Sequence, residues 1–214
     1  MASPGAGKAA EPRGPAPRWR DGWWRGAAAC ASPNFDARPE GTAVSLVVLH
    51  SISLPPGEYG GDAIERLFTN RLDWDAHAYF QRIRGLRVSA HFLLRRDGRL
   101  LQFVSCDARA WHAGASRWRG RDNCNHYSIG IELEGLEGTP FEPPQYTQLA
   151  RLLRAVSARY PIDEVVGHED VAPGRKADPG AGFDWPRLRR CLRRVRPVLP
   201  RAQPETAAVH PGRP

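Results

Sequence analysis

The chain has 214 residues, 41% of them hydrophobic, which is enough for one folded domain with a sizeable core. Nearly all of its 31 basic residues are arginine, and a GC-rich coding sequence alone favours arginine over lysine. The formal charge of +8 is therefore a weak indication of nucleic-acid binding, and we expect no nucleic-acid partner. Because no stretch approaches the roughly 18 apolar residues of a membrane span and the N-terminus lacks the apolar segment of a signal peptide, the sequence predicts a cytoplasmic protein without membrane association.

The two ends of the chain differ in composition from its middle. Residues 1–18 are rich in alanine, glycine and proline, and residues 197–214 are proline-rich and unpatterned. Such segments bury too little apolar surface to offset their chain entropy. We therefore predict two disordered tails around one domain of residues 19–196, and we expect that domain to be a monomer.

The first half of this domain mixes strand and helix patterns. Residues 44–49 (VSLVVL) form a β-branched run typical of a buried strand, which we expect to end on His50. Residues 62–68 and 73–83 have helical spacing. Residues 87–94 and 99–104 flank an Asp-Gly pair, which predicts a β-hairpin.

The second half continues the alternation. Residues 128–133 (SIGIEL) predict a strand with its isoleucines on one face and Glu132 on the other. After a break at two prolines, residues 145–160 and 185–195 each place apolar side chains on one helical stripe. The predicted fold class is α/β: a single domain with a central mixed β-sheet flanked by helices.

The four cysteines indicate neither a disulfide scaffold nor a thiolate metal site, because no two of them form a Cys-x-x-Cys pair. We expect free thiols at Cys30, Cys106, Cys124 and Cys191.

The most informative segment is residues 167–179 (GHEDVAPGRKADP), where glycine and proline exclude a regular helix or strand as the reason for the spacing. His168 and Asp178 carry side chains that suit Zn²⁺, and a catalytic zinc takes three protein ligands and a water. The third ligand must come from elsewhere. His50 is the leading candidate, although a histidine at a strand end is often only a packing residue. His91 and His112 could line the same cleft or have core or surface roles.

A zinc ion with an open position favours hydrolysis of an amide or ester. Such chemistry needs a base, and Glu132 is a candidate because it alternates with core residues on its strand. Lys176 is a candidate for stabilising the oxyanion of a tetrahedral intermediate. For both side chains, simple solvation is the alternative.

Five segments resemble the type 2 N-acetylmuramoyl-L-alanine amidase and peptidoglycan-recognition family, in particular its members that act on 1,6-anhydro-muropeptides. They are residues 47–61 (VVLHSISLPPGEYGG), 86–104 (LRVSAHFLLRRDGRLLQFV), 109–116 (RAWHAGAS), 124–135 (CNHYSIGIELEG) and 166–180 (VGHEDVAPGRKADPG). The resemblance runs from about residue 23 to about residue 192. It implies zinc-dependent cleavage of the bond between N-acetylmuramic acid and L-alanine during peptidoglycan recycling, with a muropeptide as substrate.

The resemblance also implies roles for individual residues. It implies zinc ligands at His50, His168 and Asp178, with Glu132 activating water and Lys176 stabilising the oxyanion. It further implies that Arg87 and Arg175 hold carboxylates of the peptide, and that the sugar or the peptide lies over Trp111.

Two positions depart from the family pattern. Ser51 replaces an asparagine that follows the first zinc histidine, and Asn123 replaces an arginine before the Cys-Asn pair. Both changes bear on peptide affinity and neither touches the expected metal ligands.

Two other functions compete with the amidase. A catalytically weak peptidoglycan-binding module of the same fold is the first, since members of the wider family lose activity when a zinc ligand is replaced; all three ligand positions and Glu132 are present here, which favours the enzyme. An unrelated zinc peptidase is the second, and the sequence has no His-Glu-x-x-His helix to support it.

Overall fold

The structure, a computed structural model, describes residues 18–192. The predicted tails lie outside this range apart from residue 18, and so do residues 193–196 of the predicted domain. Within the described range, no helix is long and apolar enough to cross a membrane.

The described chain forms twelve strands, five α-helices and one 3-10 turn. In chain order the strands are β1 (Trp19–Arg20), β2 (Trp23–Trp24), β3 (Ala28–Ala29), β4 (Phe35–Asp36), β5 (Leu46–Ile52), β6 (Phe92–Leu94), β7 (Leu100–Gln102), β8 (Arg109–Ala110), β9 (Arg117–Trp118), β10 (Arg121–Asp122), β11 (Ser128–Glu134) and β12 (Glu164–Gly167). The helices are α1 (Ala63–Phe68), α2 (Ala78–Arg82), α3 (Pro143–Ser157), α4 (His168–Val171) and α5 (Trp185–Leu192), and the 3-10 turn covers Cys124–His126.

Six of the strands form the central sheet, in the order β12-β5-β11-β6-β7-β3. The strands β12, β5, β11 and β6 run parallel, β7 is antiparallel to β6, and β3 is parallel to β7. The sheet is therefore mixed, and the predicted fold class is confirmed. Because neighbouring parallel strands end at the same edge, side chains from β5, β11 and β12 meet there.

The two faces of the central strands have different environments. Alternate residues of β5 and β11, such as Val47 and Ile131, face the core under α3 and α5. On the other face of β5, Leu46 and Val48 join a second apolar cluster, and His50 follows them in the same row. The alternation therefore directs the His50 side chain away from the α3 side of the sheet. The strand continues two residues past His50, so the prediction that it ends there was wrong.

Helix α3 begins two residues earlier than the sequence predicts. The Pro143-Pro144 pair was interpreted as a break, but both prolines lie in the first turn, where a missing N–H removes no helical hydrogen bond. The Gln145 side chain closes the turn by accepting a hydrogen bond from the Glu142 N–H at 2.9 Å.

Helix α2 is shorter than predicted, because two side chains hold the preceding residues in turns. The Asp73 carboxylate accepts a hydrogen bond from the Asp75 N–H at 3.0 Å. His77 then caps the helix by accepting one from the Tyr79 N–H, also at 3.0 Å. The predicted hairpin at Asp97-Gly98 is confirmed, with Leu94 opposite Leu100, although its strands are only three residues long.

A buried ionic cluster ties the loop before α1 to the sheet. The Arg95 guanidinium donates to Glu134 at 2.6 Å, to the Gly61 carbonyl at 2.6 Å and to Glu65. Glu134 also accepts a hydrogen bond from the Gly60 N–H at 2.7 Å. The side chains of Arg95 and Glu134 are only 3% and 2% exposed, so each charge depends on the other for compensation.

Replacing Glu134 by glutamine should therefore destabilise the protein by about 3 kcal/mol, because it leaves a buried cation with less compensating charge. Urea unfolding of the metal-free protein measures the loss. The control is Asp62→Asn, which breaks an exposed ion pair with Arg66 and should cost under about 1 kcal/mol. Equal losses in the two variants would show that the buried cluster contributes no more than a surface pair.

Candidate active site

Three predicted metal ligands meet at the carboxyl edge of the sheet. His50 lies near the end of β5, and His168 follows directly after the adjacent parallel strand β12, as the first residue of α4. Asp178 lies in the loop after α4, where its carbonyl accepts a hydrogen bond from the Glu169 N–H at 2.9 Å. Two strand ends and one anchored loop thus bring together residues that are up to 128 positions apart.

The donor atoms of these residues converge closely. His50 Nδ1 lies 2.9 Å from His168 Nδ1, and each of these nitrogens lies 3.1 Å from Asp178 Oδ2. All three residues are buried. Two imidazole nitrogens and one carboxylate oxygen aimed at one point are a donor set that suits a divalent metal, zinc above all. Among the described residues this is the group with the composition and spacing of a metal site.

The protonation states also suit a metal. Burial is the main reason that the pKa of His50 is lowered to about 4; the hydrogen bond to Asp178 opposes this shift, and the neighbouring His168 adds a smaller lowering. For Asp178, burial alone would raise the pKa, but hydrogen bonds with His168 and His50 hold it well below its usual range. At neutral pH the site therefore has a neutral His50 and an ionised carboxylate, as metal ligation requires.

Glu132 lies beside the candidate metal site. In the parallel pairing of β11 with β5 it is directly opposite His50, so both side chains emerge on the same face. Glu132 is 9% exposed, and its Oε2 atom has no hydrogen-bond partner among residues 18–192. Burial, together with the negative charge of Asp178, raises its pKa well above the usual value. A buried carboxyl oxygen without a partner, next to a metal site, is unusual in a purely structural residue.

These residues line a cleft of about 340 Å³. Lys176 is exposed on its rim, and its positive charge partly offsets the upward shift of the Glu132 pKa. The wall away from the metal site is largely apolar and is formed by Leu54, Pro56, Tyr79, Ile83, Leu86, Val88 and Trp111. The cleft thus combines a polar floor with an apolar wall, as is common for sites that bind small molecules.

The predicted substrate-contacting residues lie in different places. Trp111 lines the cleft. Arg87 is exposed and does not line it. The Arg175 guanidinium donates to the carbonyls of Ala113 and Ala115, at 2.7 and 2.6 Å, outside the cleft lining. The substrate contacts of Arg87 and Arg175 therefore stay predictions.

The two departures from the family pattern lie at or beside the cleft. Ser51 is among the residues that line the cleft, and its hydroxyl is buried without a hydrogen-bond partner among the described residues. Asn123 lines a neighbouring depression that shares Trp111 with the cleft.

His112 is one of the two histidines whose places the sequence left open, and it lines the cleft. Its Nδ1 lies 2.9 Å from His50 Nε2, on the side of that ring that faces away from Asp178. The sequence offered a signal only in that His112 directly follows Trp111. Its contact with His50 depends on the packing of residues 62 positions apart, which spacing cannot show.

The buried histidines predict that acid destabilises the metal-free protein. Burial lowers the pKa of His50 to about 4, of His91 to about 3 and of His112 well below 6.5. Between about pH 6.5 and 4 these three imidazoles take up protons on unfolding, whereas the raised pKa of Glu132 makes that carboxyl release one. The unfolded chain therefore binds more protons, and stability falls as pH falls. In a chelating buffer, the urea midpoint should be lower at pH 5 than at pH 7; an equal or higher midpoint would contradict this.

Comparison with known proteins identifies the family. A family model described as N-acetylmuramoyl-L-alanine amidase matches residues 40–181, which contain the three converging ligands and Glu132. The chain belongs to the N-acetylmuramoyl-L-alanine amidase family. This amidase therefore has its candidate metal site inside the part of the chain that the family model matches, and the resemblance found in the sequence is confirmed.

Individual relatives cover most of the amidase. It is 52% identical to the 1,6-anhydro-N-acetylmuramyl-L-alanine amidase AmpD of Salmonella typhimurium strain SL1344 over 170 residues, which are 78% of this chain and 91% of the relative. A crystal structure of a selenomethionine derivative of AmpD is 50% identical with a TM-score of 0.79, and the match covers 81% of this chain and 98% of that one. Escherichia coli AmiD, in complex with the substrate anhydro-N-acetylmuramic acid-L-Ala-D-γ-Glu-L-Lys, is 31% identical with a TM-score of 0.51, over 72% of this chain and 60% of that one.

Proposed function

We propose that this amidase hydrolyses the amide bond between 1,6-anhydro-N-acetylmuramic acid and L-alanine in muropeptides, with zinc held by His50, His168 and Asp178. The observation that carries the proposal is the convergence of their three donor atoms within 3.1 Å, in a cleft that also contains the carboxyl of Glu132, whose Oε2 has no hydrogen-bond partner among the described residues. Identity of 52% to AmpD supports the anhydro sugar as the substrate.

When bound, zinc supplies a Lewis acid that activates water and polarises the scissile carbonyl. Glu132 accepts a proton from the attacking water as the water oxygen bonds to the carbonyl carbon. Its raised pKa then favours return of that proton to the alanine nitrogen as the C–N bond breaks. The products are a free lactyl carboxylate on the sugar and a peptide with a free amino group. Lys176, on the cleft rim, offsets negative charge on the carbonyl oxygen.

The remaining cleft surface fits the two halves of a muropeptide. We place the sugar against the apolar wall that includes Trp111, because flat aromatic surfaces pack well against sugar rings and Trp111 lines the cleft. Arg87 and Arg175 are proposed to hold the acidic peptide, for which a guanidinium group is well shaped. Since Ser51 is shorter than asparagine and Asn123 is uncharged, we expect weaker peptide binding than in relatives with asparagine and arginine at these positions.

The setting of the reaction follows from the substrate. We place it in the cytoplasm, on muropeptides released during peptidoglycan recycling, and we expect a monomer without nucleic-acid or membrane partners. The support for this setting is the 52% identity to AmpD.

The test is mass spectrometry of the products formed from anhydro-muramyl tripeptide and from its non-anhydro counterpart, with and without a chelator. Release of free tripeptide from the anhydro substrate, lost on chelation and restored by zinc, is the expected result. Cleavage of both substrates would overturn the specificity for the anhydro sugar. Binding of zinc without cleavage of either would instead indicate a peptidoglycan-binding module of the same fold.

A further inference from the structure

The outer nitrogens of both metal-ligating histidines contact one dipeptide, His112-Ala113. His50 Nε2 lies 2.9 Å from His112 Nδ1, and His168 Nε2 lies 3.1 Å from the Ala113 carbonyl oxygen. The pairing of β5 with β12 brings the two imidazoles side by side, and the dipeptide, which follows β8, contacts both of them from outside these two strands. We propose that His112-Ala113 is a positioning element that fixes the orientation and tautomer of both ligands. This inference rests on the metal site of the proposed function.

The hydrogen-bond directions form one consistent set. If the Nδ1 atoms of His50 and His168 face the metal without protons, their Nε2 atoms carry the protons. His50 then donates to His112 Nδ1, and His168 donates to the Ala113 carbonyl oxygen. With its Nδ1 accepting, His112 carries its own proton on Nε2 and donates it to Ser128 Oγ at 3.2 Å. The Ser128 hydroxyl in turn donates to the Cys124 carbonyl at 2.6 Å. Each group in this chain donates one proton, and the Arg175 guanidinium, 3.5 Å from His168 Nε2, makes its shorter hydrogen bond to the Ala113 carbonyl, at 2.7 Å.

The surrounding residues hold the dipeptide in place. The Asn125 carboxamide oxygen accepts hydrogen bonds from the N–H groups of His112 and Ala113, at 3.2 and 2.8 Å. On β11, Gly130 leaves room for the His112 ring, because a Cβ atom there would lie 2.4 Å from the ring carbon. Ser128, Gly130 and Glu132 alternate on one face of that strand. A single strand face therefore anchors the positioning histidine, accommodates its ring and carries the proposed base.

A pair of equally sized substitutions tests the proposal. In His112→Asn, the side-chain oxygen can replace Nδ1 as the acceptor for His50, whereas His112→Leu fills similar space without an acceptor. Competition with a chromophoric chelator should show zinc affinity about 10- to 100-fold weaker in His112→Leu, the usual effect of losing such a partner, and within about threefold of the original in His112→Asn. The control His126→Leu, a nearby histidine without contact to the ligands, should bind zinc normally.

The thermal midpoint with and without zinc separates positioning from a merely structural role. Loss of positioning reduces the increase in midpoint that zinc produces, whereas loss of packing lowers both midpoints equally. A folded His112→Leu variant that binds zinc within threefold of the original protein would overturn the proposal. If that variant does not fold, Ser128→Ala replaces it, because this substitution removes the acceptor for His112 Nε2 with little change in volume. The Ser128→Ala variant should bind zinc at least threefold more weakly than the original protein, and an unchanged zinc affinity would overturn the proposal. Failure of the unaltered protein to bind zinc would instead contradict the proposed function.

Discussion

Asp178→Ala should yield a purified protein with little bound zinc. Asp178 is the one ligand with a negative charge in the cluster, and its oxygen lies 3.1 Å from each imidazole nitrogen. Its removal leaves two neutral nitrogens, too few for the three protein ligands that a catalytic zinc typically takes. Hydrolysis of anhydro-muramyl tripeptide should fall together with zinc content. Elemental analysis of the dialysed protein gives the zinc stoichiometry.

The matched control for this variant is Asp163→Ala. Asp163 is an exposed acid next to β12, outside the metal cluster. Its replacement removes the same charge at a similar place in the chain, so it should leave one zinc per protein. Full zinc occupancy in Asp178→Ala would mean that a different residue completes the site, and the ligand assignment would fail.

The sequence could single out the three converging residues because their types and local settings are unusual. His168 and Asp178 lie in a segment rich in glycine and proline, which offers no helical stripe or strand alternation to account for them. His50 follows a short apolar run, which is typical of a buried strand in a parallel sheet. A polar residue directly after such a strand lies at the edge of the sheet. The convergence of the three atoms follows from the pairing of β5 with β12, which no local pattern encodes.

Short elements and long-range contacts could not be predicted in the same way. The strand β12 has four residues and pairs with β5 at the edge of the sheet, so its pattern alone does not distinguish it from a loop. The sequence did not predict the first two residues of α3, because a pair of prolines was interpreted as a break, whereas proline is also frequent in the first turn of a helix. His112 and the Arg95–Glu134 pair depend on partners 62 and 39 positions away. Packing determines these contacts, and sequence periodicity carries no information about them.

Glu132→Gln should retain zinc and hydrolyse anhydro-muramyl tripeptide roughly 10²- to 10⁴-fold more slowly, the usual loss when a general base is removed. The amide keeps the size and place of the carboxyl opposite His50 but cannot accept a proton from water. Because Glu132 is 9% exposed, solvent has limited access to replace its function. The kcat and the zinc content of the same preparation, measured together, separate lost chemistry from lost metal.

The pH profile gives this prediction a second readout. A carboxyl base works only when ionised, so the activity of the unaltered enzyme should fall as pH drops through the pKa of Glu132, which burial raises above its usual value. Glu132→Gln should lose this acid limb. The control Glu137→Gln changes an exposed acid on the rim of the same cleft. Its rate should stay within a few-fold of the original, and its activity should still fall at low pH. A Glu132→Gln variant that lost its zinc would identify Glu132 as a ligand. A variant with normal kcat would show that another group accepts the proton from water.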